Sequence, residues 1–246
     1  AGETEPDFRQ MLADQACQQH PNAKIEAVTD FEINCYDTQP GQQIGLNGDY
    51  LASARLDNLL SCYVGLRSLL DADSDTTVLL ICNDHEEVGS VSTAGAQGPL
   101  LRSILERLCG TGELLTRALS RSLLVSADNA HAVHPNYDDK HDPQHRPRLN
   151  GGPVIKFNAN QRYATNSVTA AIFRDLCAKA EVPVQTIAMR SDMACGSTIG
   201  PITASTVGID TVDVGAPQLG MHSPREVTGW RDPVWLYLAL KDFFES

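Results

Sequence analysis

From residue 49 onward helical and strand patterns alternate, and this rhythm leaves few folds open to the chain. An apolar helical pattern over 58–70 precedes a β-rich run, Thr77 to Cys82, then a helix over 99–109 and a strand over 122–127. The order continues with a strand at 154–157, a helix over 166–180 capped by Asn166, strands at 184–189 and 211–214, and a closing helix over 231–244. Such alternation predicts an α/β fold, a three-layer sandwich around a mostly parallel mixed sheet. In folds of this kind chemistry gathers beyond the carboxyl ends of the strands.

The first 48 residues read differently. A short helix is expected over 6–19 and a strand over 25–37, where Ile25, Ala27, Phe31, Ile33 and Cys35 show interrupted period-two alternation. A turn-rich stretch at 38–42 follows, and a boundary near residue 48 divides the chain into 1–48 and 49–246.

Composition excludes several classes of partner. The net charge of −12 opposes nucleic acid and anionic membrane, which need clustered Lys and Arg. No run of 18 apolar residues occurs, and the N-terminus shows neither a basic nor an apolar signal region. Seven cysteines without a CxxC pair fit reduced thiols, so a cytoplasmic protein is expected.

Polar residues cluster just after three predicted strands. Asn83-Asp-His-Glu-Glu follows the run ending at Cys82, Asp128-Asn-Ala-His follows Ala127, and Met221-His-Ser-Pro-Arg-Glu comes shortly after Val214. Three strand ends thus aim carboxylates and imidazoles at one crevice, as a divalent-metal hydrolase requires. Adjacent Glu86 and Glu87 can serve one site only where the strand has ended, one binding metal and the other moving a proton. Taken alone, a Glu-Glu pair is more often a solvated acidic loop.

Seven strings carry a resemblance: Arg55-Leu-Asp-Asn-Leu, Asp84-His-Glu-Glu-Val-Gly-Ser, Ser126-Ala-Asp-Asn-Ala-His-Ala-Val-His-Pro-Asn-Tyr, Gly152-Pro-Val-Ile-Lys, Gln161-Arg-Tyr-Ala-Thr-Asn, Cys195-Gly-Ser-Thr-Ile-Gly-Pro and Met221-His-Ser. Together, and in this order, they resemble the aspartyl aminopeptidases, enzymes of the zinc-peptidase, phosphorylase-like fold. The resemblance implies two divalent metal ions, zinc by family habit, with Asp57 bridging them. Glu87 and His222 would complete one ion and Asp128 would bind the other, while Glu86 would be the general base. Lys156 would select acidic N-terminal residues, although composition alone makes it an ordinary surface lysine. His131, Tyr163 and Asp192 fall on the substrate side. His131 and His134 also suit hydrogen-bonded histidines beside a turn, and Asp192 suits a plain helix start.

The family's remaining metal ligand is a histidine in an upstream HxD motif. No residue before Asp57 matches it, because His20, in Gln19-His20-Pro21, stands outside any such motif. The expectation is a piece of a longer enzyme in which 1–48 is the tail of an inserted β-rich oligomerisation domain. The peptide substrate and a large homo-oligomer, a dodecamer, follow from the same resemblance. Two other readings stand beside it: a silent assembly or regulatory subunit without a complete metal site, and a carboxypeptidase or deacylase on a related fold.

Overall fold

The computed structural model describes residues 5–246. Two compact units divide the chain, one ending at Thr38 and the other running from Gln39 to Ser246.

The first unit is built on helix α1 (Phe8–Gln19), started by the Asp7 side chain accepting from the Gln10 amide. The ring of Phe31 meets Phe8 edge-on at 5.4 Å, and the Arg9 guanidinium lies over Phe31 while donating to the Val28 and Thr29 carbonyls. The strand expected over 25–37 does not form. Two carbonyls that a ladder would use are taken by Arg9, and most of the apolar positions stay exposed with no sheet to bury them.

The second unit contains, in order, β1 (Gln42–Ile44), β2 (Tyr50–Ser53), α2 (Leu56–Asp71), α3 (Leu100–Cys109), α4 (Glu113–Leu119), β3 (Leu123–Ala127), β4 (Ala130–His131), β5 (Val154–Phe157), α5 (Ser167–Lys179), β6 (Gln185–Ala188), α6 (Ile199–Thr203), β7 (Asp210–Gly215), β8 (Pro217–Leu219), β9 (Glu226–Gly229) and α7 (Asp232–Glu245). The α/β architecture is the expected one. The four-stranded sheet β3-β7-β5-β6 is parallel except between β5 and β7. A second sheet, β1-β2-β9-β8-β4, is antiparallel except between β4 and β8, and period-two patterning had not announced it. Its strands are two to four residues long, too short for alternation to register.

Both faces of β5 are covered, because adjacent residues in a strand point to opposite sides. Ile155 joins Leu56, Leu60, Phe173, Val212, Val214, Leu236 and Leu240 in the main core, beneath α2, α5 and α7. Val154 instead packs with Ala130 and Ile187. Fully burying a side chain such as Phe173 contributes about 1.5–3 kcal/mol, so this double coverage holds the strand rigid. Helix α5 starts at a capping box: the Asn166 side chain accepts from the Val168 and Thr169 amides, and the Thr169 hydroxyl accepts from the Asn166 amide.

The run Thr77–Cys82, expected as a strand, has no ladder partner among the described residues. Residues 77–80 alternate between exposed and half-buried, a strand pattern without the neighbour that would complete the hydrogen bonding. All seven cysteines are free thiols, as expected.

Candidate metal centre

The two sheets meet where β3 runs on into β4 and β7 into β8. Parallel pairing continues across the junction, with the Asp128 amide donating to the Val214 carbonyl and the Ala130 amide to that of Ala216. Asp128 therefore stands at the seam between the sheets, just past the carboxyl end of β3. The backbones come so close that a Cβ on Gly215 would lie 1.7 Å from the Asp128 carbonyl oxygen, so no other residue fits there.

Asp57 approaches the same seam from the first turn of α2. Neither Asp57 (φ −85, ψ 112) nor Asn58 (φ −114, ψ 19) has helical backbone angles, and the preceding Arg55 is left-handed at φ 59. The turn is bent out of register, and the Asp57 side chain is only 4% exposed. Glu86 and Glu87 occupy a 3₁₀ turn between left-handed His85 and Gly89. His222, also left-handed at φ 66, enters from the turn between β8 and β9.

These segments converge. His222 Nε2 lies 3.2 Å from Asp57 Oδ2 and 3.0 Å from Glu87 Oε2, and one ligand atom from each of the three falls within 4.8 Å of the others. Asp128 is held on both oxygens: Asn58 donates to Oδ1 at 2.7 Å and Lys156 to Oδ2 at 3.1 Å. Asn58 also donates to the Ala127 carbonyl at 3.2 Å, tying the start of α2 to the end of β3.

Charge is crowded here. Burial, then the carboxylates of Asp128, Glu87 and Glu226, push the Asp57 carboxyl up to about 8. Burial and then Asp128 and Glu87 also raise Glu86. Burial alone would raise Asp128, yet Lys156 and the Asn58 hydrogen bond hold it below the ordinary carboxylate value. Among the described residues, buried Asp57 Oδ1 has no hydrogen-bond partner. A buried carboxylate oxygen with no donor, beside a second carboxylate and an imidazole, is the donor set a divalent ion would satisfy.

The other expected residues divide. Lys156 reaches the cluster from β5, but its side chain is 3% exposed, paired with Asp128, and 5.4 Å from the Tyr163 ring centroid. Tyr163 is buried beside it. His131 ends β4, and burial of its ring, then the charges of Lys156, His141 and His222, hold it below the ordinary imidazole value. Asp192 pairs with Arg190 at 2.6 Å and lines a surface depression with Asp138, His141, Asp142 and Arg146. Among the described residues no hydrogen bond or ion pair joins it to the carboxylate cluster. His134 accepts from the Asn136 amide and lies against Tyr137, the hydrogen-bonded turn histidine its position also suited.

Two contributors escaped the sequence reading. Asn58 follows Asp57 directly, and Glu226 accepts from the Asp57 and His222 amides at 2.9 and 2.7 Å. Glu226 stood in the polar string after Val214, but nothing in that string marked it as buried.

Three carboxylates and an imidazole brought together from separate turns, with a raised acid beside them, form a cluster able to hold a divalent ion. The aminopeptidase I zinc metalloprotease (M18) family model matches residues 3–244, and the chain belongs to that family. It is 58% identical over 246 residues to a probable M18 family aminopeptidase 2 of Pseudomonas entomophila (strain L48), covering all of this chain and 57% of that protein. The chain thus spans little more than half the length of such relatives. Among solved structures it is similar to Ape4 in its complex with Nbr1 (34% identity, TM-score 0.87, 99% of this chain and 50% of that one). It is also similar to the mApe1 dodecamer of S. cerevisiae (27% identity, TM-score 0.81, 99% and 58%).

Proposed function

We propose that the longer protein to which this chain corresponds is a two-zinc aminopeptidase that removes N-terminal acidic residues, Asp or Glu, from peptides. The observation that carries the proposal is the convergence of Asp57, Glu87 and His222, one ligand atom of each within 4.8 Å of the others, while the second Asp57 oxygen, Oδ1, is buried without a donor. Asp57, Glu87 and His222 would hold one divalent ion. Asp128, with Asp57 bridging, would hold the second, alongside the HxD histidine that the 246 residues lack. Bound there, the ions would supply Lewis acidity, acidifying a water and stabilising charge on the scissile carbonyl oxygen.

The chain's own residues do the rest. Glu86, its carboxyl raised by burial and neighbouring acids, takes a proton from the attacking water and returns it to the departing amine. Lys156 and Asn58 keep Asp128 charged and oriented. Of the three protons on the Lys156 ammonium one is directed at Asp128, and a substrate carboxylate would draw on the others. A charge-assisted contact of this kind is worth about 1.5–3 kcal/mol, enough for a clear preference.

A cytoplasmic homo-oligomer is part of the same proposal, supported by the dodecamer of the S. cerevisiae relative. Among the described residues no helix is long and apolar enough to cross a membrane. The test is metal content and hydrolysis of an Asp-anilide by the complete gene product. Two zinc ions per chain with release of Asp support the reading. Absence of both leaves the silent assembly subunit in its place, and cleavage confined to amine-blocked peptides points to a deacylase or carboxypeptidase.

A further inference from the structure

Glu226 opens β9 opposite Ser53 of β2 and is 1% exposed. Its two oxygens take one main-chain amide each: Oε2 accepts from Asp57 at 2.9 Å and Oε1 from His222 at 2.7 Å. Among the described residues no Lys, Arg or His forms an ion pair with it.

The two amides belong to residues from distant parts of the chain whose side chains meet at 3.2 Å. One carboxylate therefore ties together the backbones from which two side chains of the cluster project. It also meets His222 in a left-handed conformation that a non-glycine residue adopts reluctantly. Only a group with two acceptors can satisfy both amides, because a glutamine would turn its NH₂ towards one of them.

We infer that Glu226 is the positioning residue of the metal centre, setting the main-chain spacing of Asp57 and His222 so that their side chains can share an ion. This rests on the metal reading of the site given above. The carboxylate acts through the two residues whose amides it binds.

The test uses the full-length protein with Glu226→Gln and Glu226→Asp, reading the zinc dissociation constant by chelator competition and the melting midpoint of the metal-free form. Outer partners of metal ligands typically contribute about 10–100-fold in affinity, and Glu226→Gln is expected to lose that much while still folded. Glu226→Asp, which keeps both acceptors, should lose less. A folded Glu226→Gln protein that binds zinc within twofold of wild type overturns the inference, since a purely structural role moves the melting midpoint and leaves affinity alone.

Where neither variant folds, amide hydrogen exchange in the metal-free wild type decides. The Asp57 and His222 amides should be protected like those of the central strands, and rapid exchange at either overturns the inference. Wild-type protein that binds no zinc, with both amides protected, removes the metal reading instead and leaves the Glu226 bridge standing as geometry.

Discussion

Lys156 Nζ lies 3.1 Å from Asp128 Oδ2, with the lysine side chain 3% exposed and the aspartate 20%. The pair joins the middle of β5 to the seam between the two sheets, so a residue expected to read the substrate also holds a carboxylate of the cluster. Breaking a buried pair by removing one partner costs about 3–5 kcal/mol. Lys156→Ala should therefore lower stability by roughly that amount in urea unfolding. In kinetics it should slow Asp-peptides more than Leu-peptides, and an equal fall in both would remove Lys156 from substrate choice.

The same pair predicts a pH effect. Asp128 is depressed in the folded state, so its contribution is complete above the ordinary value of 3.8 and is lost as pH falls through its lowered folded value. The Lys156→Ala protein should lack this component, so its stability should fall less steeply than wild type as pH drops from 3.8 through that lowered value. Parallel acid-unfolding curves would contradict the prediction.

Asp57 carries the opposite sign. Its carboxyl is pushed up to about 8, so the metal-free folded protein binds a proton that the unfolded chain has released above 3.8. Metal-free stability should decline as pH rises from about 4 to 8 on this account. An ion must displace that proton, so zinc affinity should rise with pH by up to about tenfold per unit, levelling off above 8. Competition titrations at a series of pH values check it, and Asp57→Asn should flatten the dependence.

Glu86→Gln keeps shape and removes the proton acceptor. In the full-length protein it should retain metal and lose turnover by about 10²–10⁴-fold, the usual share of general acid–base catalysis. Near-normal turnover would take Glu86 out of that role.

Gly215→Ala introduces a methyl group 1.7 Å from the Asp128 carbonyl oxygen, a main-chain atom that cannot swing aside. The strand crossing must open, at a cost of at least about 1–3 kcal/mol. Urea unfolding measures that loss. A matching fall in metal affinity would show that Asp128 moves with its backbone.

How much of this was legible beforehand differs element by element. Helix α5 was readable because its determinants are local: a capping asparagine, an apolar stripe and a defined end. The short strand Val154–Phe157 was readable as well, its apolar run bounded by turn residues. The run 25–37 was misread because alternation reports only that a strand is possible, and whether a neighbour exists is a property of the whole molecule. Thr77–Cys82 makes the same point.

In the site, the acids and imidazoles were visible as polar strings, since residue type and order along the chain are one-dimensional facts. Their distances, the burial of Lys156 and Glu226, and the orphaned oxygen of Asp57 were not. The sequence by itself determined the α/β alternation, the local caps and the chemical groups available to the site. Tertiary structure alone decided which groups meet and which lose water, because desolvation and pairing depend on segments far apart in the chain, as Glu226 does in reaching Asp57 across 169 residues.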